Sequence, residues 1–194
     1  MQIGNSRSQW GVVSKTLHWI IVVLIIVQYT LAQVAEDLPL GLQKLQVLAR
    51  HKSVGLTILG MAILRLLWRW ANPTPELPGT LKPWEKKVAT LTHFALYLLL
   101  FAMPVTGWLM SSAANFPVSW FGVLTLPDLV EPSRDLQRTL HEVHETLFKF
   151  LVALAVLHVA AALKHHFVLK DDVLRRMVPF MRVGKDDNPR GAGR

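Results

Sequence analysis

Eight histidines in 194 residues are the richest source of chemistry in this chain, and two of them set the scale for the rest. His144 and His158 lie 14 positions apart inside HEVHETLFKFLVALAVLHVAAALKHHF, residues 141–167. On an α-helix that interval comes within about 40° of four whole turns and spans about 21 Å. Both rings then leave one helix face, near opposite sides of a hydrocarbon layer about 30 Å thick. Imidazole is costly to keep in lipid without a partner, so two on one inward face suggest two binding sites at two depths. Taken singly, each is more simply a hydrogen-bonding residue between helices.

The elements that must position these rings show as charge-poor runs. Residues 16–35 carry no charge, 51–70 are interrupted only by Lys52, Arg65 and Arg69, and 88–127 and 150–163 carry none. Four such runs, in a chain 52% hydrophobic and 18% charged, predict an all-α integral membrane protein. Its expected architecture is a four-transmembrane-helix bundle with helices at about 15–35, 51–70, 88–110 and 141–166. A polar segment, 1–14, precedes the membrane domain at 15–179, and a basic tail, 180–194, is expected to be disordered.

Between the first two spans, AEDLPLGLQKLQVLAR is broken at Pro39-Leu40-Gly41 and then reads as a short amphipathic surface helix. Asn72-Pro73-Thr74-Pro75 ends the second span. Gly55 and Gly60 leave room on it for close helix packing or for a flat cofactor. Pro104 is expected to kink the third span. The stretch NFPVSWFGVLTLPDL, too broken by proline to cross the membrane and too apolar to float free, is expected to fold back onto the outer face and cover a ligand there.

The net charge is +8, and its distribution gives the orientation. With the N-terminus cytoplasmic, 15 lysines and arginines fall on the cytoplasmic side and 5 outside, Lys149 being left within the fourth span. The positive-inside rule therefore predicts both termini in the cytoplasm. Anionic lipid accounts for the basic flanks more simply than nucleic acid does, so no nucleic-acid partner is expected. The first span is long and lacks a following small-residue cleavage pattern, and is read as retained.

Topology then pairs the histidines. The first helix enters from inside at His18, and the fourth reaches the same depth at His158; the second enters from outside at His51, and the fourth passes that depth at His144. Two neutral nitrogen donors in an apolar cavity suit the two axial positions of haem iron, and bundles build such sites between facing helices. Zinc would need three or four ligands at one depth. The absence of cysteine excludes thiolate metal sites, iron–sulfur clusters and covalently attached haem.

Other residues gather around this scheme. Arg65 follows His51 by the same 14 positions; with Arg69 it is a candidate to neutralise a haem propionate on the cytoplasmic side, or else an arginine snorkelling to headgroups. His93 has the right depth to compete as a cytoplasmic-side ligand and is assigned a hydrogen-bonding role beside that haem. His141 is read as solvated, and Glu145 and Lys149 as an intrahelical pair. His165 and His166 could hydrogen-bond a quinone headgroup, although plain interfacial residues are the simpler reading.

SKTLHW, ARHKSVG, RLLWRWANPTP, HFALYLLLFAMPVTGW, WFGVLTLP and HETLFKFLVALAVLHVAAALKHHF together resemble the bacterial dihaem cytochrome b561 family, across about residues 10–179. The resemblance implies two non-covalent b haems held by His18 with His158 and by His51 with His144, the pairing that depth had given. It further implies a bacterial inner-membrane protein that exchanges electrons with ubiquinone or a related quinone, with His165 near the quinone. On the periplasmic side it implies a redox partner, and superoxide has been linked to such members. Two other readings stay open on the residues: the cytochrome b membrane-anchor subunit of a larger dehydrogenase or hydrogenase, and a histidine-lined small transporter or ion-binding protein.

Overall fold

The computed structural model describes residues 2–77, 79, 81–179 and 181; the expected tail at 180–194 lies outside them except for Met181. In chain order the elements are α1 (Val12–Asp37), α2 (Leu42–Ala71), α3 (Pro83–Ala113), β1 (Val118–Trp120), β2 (Leu124–Leu126) and α4 (Arg134–Lys164). A π-helical turn, His165–Leu169, and the short α5, Val173–Met177, follow. Four of these helices are long and apolar enough to cross a membrane.

The four long helices run past the expected spans at both ends, α4 by way of the π-helical turn, whereas α3 begins before its uncharged stretch at Pro83 and stops inside it at Ala113. The amphipathic segment expected before the second span is continuous with it, making α2 a single helix of 30 residues in which His51 lies well inside. Helix ends follow local chemistry. At α3, Pro83 occupies the first turn, where its missing N–H costs nothing, and the Glu85 carboxylate accepts the Lys82 backbone N–H at 3.0 Å. Ser133 Oγ accepts the Leu136 N–H at the start of α4 (3.3 Å). Pro104 sits inside α3 without ending it.

α1 packs along α2, α3 along α4, and α2 against α3. The apolar centre joins Ile21 of α1 to Val54, Ile58 and Ala62 of α2 and Leu100 of α3. Gly55 serves close packing: a Cβ there would stand 3.3 Å from the Gln28 side chain of α1. Gly60 has nothing within 4 Å of such a position, so it contributes no packing.

On α2, at about 100° per residue, Gly55, Ile58, Ala62 and Arg65 share the His51 face, whereas Ser53 and Thr57 lie roughly opposite. The outer segment docks on that opposite face. Ser53 Oγ accepts the Phe121 N–H (3.0 Å) and lies 3.0 Å from the Ser119 carbonyl, and Trp120 Nε1 donates to Thr57 Oγ1 (3.0 Å). The expected cover over a ligand is thus a two-stranded antiparallel hairpin, β1 with β2, bracing the back of α2. Ser53 is 3% exposed, so Ser53→Ala strands buried partners and is expected to cost about 1–3 kcal/mol, read as a lower thermal midpoint in detergent.

The opposite end of the bundle is tied by backbone contacts. Glu76 N–H donates to the Arg7 carbonyl (2.9 Å), Arg176 Nη1 to the Glu76 carbonyl (3.1 Å), and Trp19 Nε1 to the Met177 carbonyl (3.1 Å). Both ends of the described chain therefore meet at one end of the bundle, together with the α2–α3 loop.

Candidate functional site

The two histidines of α4 define two levels, named outer (His144) and inner (His158) after the orientation expected from the charge distribution. His144, Leu151 and His158 recur at seven-residue spacing along an unbroken helix, one face of it, and Leu151 is the one buried residue of α4. The backbone of α4 makes no extended approach to α1 or α2 among the described residues. Side chains bridge that separation instead: Tyr29 stacks on Phe148 with ring centroids 5.9 Å apart, between the two levels.

At the outer level His144 is tightly positioned by α3. The Thr106 hydroxyl donates to the Ala102 carbonyl (2.8 Å), as a helical threonine commonly does, so its lone pair faces His144 Nδ1 at 3.0 Å. This network assigns the proton to Nδ1 and leaves Nε2 as a bare lone pair. Gly107 makes the approach possible, since a Cβ there would sit 3.4 Å from His144 Cε1. His51 shares this level and lies within electrostatic reach of His144. Its Nδ1 is buried without a hydrogen bond of good geometry, with the Gln28 backbone beside the ring. Glu145 pairs with the exposed His141 at 3.2 Å rather than with Lys149, because both flanking residues are one turn away and the histidine wins.

The inner level gathers three histidines and two arginines. His158 lies 6.3 Å from His18 and 5.3 Å from His93, centroid to centroid, with both pairs steeply inclined. Arg65 Nη1 stands 2.7 Å from His18 Nδ1. Arg65 and Arg69 both lie over the Tyr97 ring, at 5.6 and 5.7 Å. Arg65 is thus turned into the bundle and is not snorkelling to headgroups.

At the inner mouth, His165 Nδ1 meets Asp171 Oδ2 at 2.5 Å, with both side chains mostly covered. The π-helical turn and a left-handed Lys170 (φ 54°) fold Asp171 back over the helix end, where its N–H reaches the His165 carbonyl (3.1 Å). The neighbouring His166 has a buried Nδ1 without a partner. Among the described residues no three or more histidine or carboxylate side chains converge as a bare metal ion would require.

Sequence reasoning missed Thr106, Gly107, Tyr97 and Asp171. Thr106 and Gly107 stand just after Pro104, within a long apolar stretch from Phe94 to Met110, which was a usable signal. Asp171 had none, because only an irregular helix end brings it back to His165.

The family model for prokaryotic cytochrome b561 matches residues 9–180. The chain belongs to the prokaryotic cytochrome b561 family. Cytochrome b561 homolog 2 of Escherichia coli (strain K12) is 33% identical over 181 residues, 92% of this chain and 95% of the relative. A protein of Yersinia pestis named probable superoxide oxidase CybB is 30% identical over 166 residues, 86% of this chain and 93% of its own length. Cytochrome b561 homolog 1 of Escherichia coli is 27% identical over 170 residues, 86% and 96% of the two chains. Membership makes the chain a multi-pass bacterial membrane protein of a family whose cofactor is b-type haem, and the donor set fits that group. The His18 and His158 rings meet at 6.3 Å across a separation that side chains bridge, and His144 holds the tautomer a ligand needs.

Proposed function

We propose that the chain is an inner-membrane dihaem b-type cytochrome that passes electrons one at a time between a quinone at its basic, cytoplasmic end and a redox partner at the periplasmic face. Superoxide is the candidate donor there, suggested by the name of the Yersinia relative. The reading rests chiefly on the 6.3 Å between the His18 and His158 rings. A ligating imidazole nitrogen lies about 2 Å from its metal, and a ring centroid is roughly 1.1 Å further back, so two rings on opposite sides of one iron stand about 6 Å apart. His93, at 5.3 Å from His158, is too close for that arrangement and acts as a neighbour. His18 with His158, and His51 with His144, would hold the two haems. Arg65 and Arg69 would meet propionates of the inner one.

Haem held there by two imidazoles would supply one-electron exchange. The remaining work falls to this chain's residues. The long apolar helices exclude water. At the inner mouth, Asp171 fixes the proton of His165 on Nδ1. A protonated His165 can then donate Nε2–H to a quinone oxygen, and the neutral form that remains can accept from a quinol hydroxyl.

The test is a reduced-minus-oxidised spectrum of purified protein with a haem-to-protein ratio: two low-spin b haems per chain are expected, and a single haem would remove half of the scheme. Asp171→Asn is expected to leave that ratio unchanged while slowing quinone turnover by roughly tenfold or more, measured with a soluble quinone in stopped flow.

A further inference from the structure

We infer that the β1–β2 hairpin is an interfacial anchor whose tip inserts among the acyl chains of the outer leaflet. Three independent observations carry this. The first is depth. The hairpin backbone is bonded to Ser53, two positions inward of His51 and one past Lys52, the last charge on α2 before Arg65. Trp120 reaches Thr57, one turn deeper, about 6 Å further along the helix. Lys52 itself lies 5.5 Å over the Phe116 ring, the arrangement of a cation held at a headgroup boundary with an aromatic beneath it.

The second is exposure. Trp120, Phe121, Val123 and Leu124 are 41%, 57%, 80% and 55% exposed, a contiguous apolar tip with no protein partner to cover it among the described residues. On a soluble surface such a patch would be a liability. At this depth it faces lipid.

The third is the turn. Val123 N–H returns to the Trp120 carbonyl (3.0 Å), and the two central residues, Phe121 and Gly122, have φ of 48° and 75°. Such a turn favours Asn-Gly or Gly-Gly. The left-handed region is unfavourable for phenylalanine, and at this position Phe121 gains no core packing in return. A lipid environment supplies the missing benefit. The hairpin satisfies the membrane rule against open edges because it is short, lies at the boundary, and has β1 bonded to both β2 and α2. This inference needs no haem assignment.

Because the chain has no cysteine, single thiols report single positions. Val123→Cys and, independently, Leu124→Cys would carry an environment-sensitive fluorophore on haem-loaded protein in lipid nanodiscs, with retained haem bands as the check on folding. Glu131→Cys is the aqueous reference, and Val156→Cys, 62% exposed on α4, is the lipid reference. The expected result is blue-shifted emission, several-fold stronger quenching by doxyl-labelled lipid than Glu131→Cys, and several-fold weaker quenching by aqueous iodide. Emission and quenching like the aqueous reference would overturn the proposal. Protection from both quenchers would overturn it equally, because a protein surface would then cover the tip.

Discussion

Replacing His158 by alanine is expected to halve the haem content of the purified protein and to leave one low-spin component in the reduced-minus-oxidised spectrum. The inner level has a spare imidazole, yet His93 should not rescue it. His93 and His158 are already in ring contact at 5.3 Å, and both belong to the α3–α4 pair of closely packed helices. An iron needs its ligands on opposite sides, and the opposite side is α1, which carries His18. His93→Phe is therefore expected to retain both haems, with a shifted inner component at most. His144→Ala should remove the other component, because His144 is the residue that Thr106 and Gly107 hold with Nε2 free. Pigment quantification and band shape on these three variants and on His18→Ala separate the levels. Loss of haem in His93→Phe with retention in His18→Ala would reverse the ligand assignment at the inner level.

The reason so much of this arrangement could be read from sequence is that a membrane leaves few solutions. Four charge-poor runs dictate four helices, since unpaired backbone is intolerable in lipid. A 14-residue interval on one helix dictates two depths, and the sides from which the helices enter pair the remaining rings. Residues that act through tertiary contact were less legible. Arg65 stood at the right level by counting from His51, but its contact with His18 depends on α1 and α2 packing at Gly55 and Gln28. Asp171 reaches His165 through a π-helical turn that no periodicity announces. The segment 118–126 reads from sequence as returning to the outer face, but not as a hairpin, and nothing in the sequence marks Ser53 and Thr57 as its anchors. Periodicity identifies the inward face of α2 through His51, Ile58 and Arg65, and it is silent about what docks on the other.

Arg65→Leu is expected to lower the midpoint potential of the inner haem by about 60–120 mV while leaving the outer haem unchanged. The sign follows from charge. A fixed cation beside the site disfavours the more positive, oxidised form, so its loss makes reduction harder. The size follows from the worth of a hydrogen bond to a charged group, about 1.5–3 kcal/mol, with 59 mV for each tenfold step in a one-electron couple. The geometry also constrains how Arg65 acts. Guanidinium only donates, so with Nη1 at 2.7 Å from His18 Nδ1 the ring's proton belongs on Nε2. His18 can offer Nε2 to iron only when that proton sits on Nδ1, and Arg65 must then turn to another acceptor. A propionate is the acceptor that haem brings, and a guanidinium already lodged beside the Tyr97 ring, with Arg69 on the same ring, is well situated to take it. Arg65→Lys, which keeps the charge but loses the planar fork, should recover most of the potential, whereas Arg69→Leu should shift it less, because Arg69 meets Tyr97 without touching the histidine. Potentiometric titration of the two resolved haem components reads all three variants. An unchanged inner potential in Arg65→Leu would mean that the cation is screened from the site, and the propionate role of Arg65 would fall.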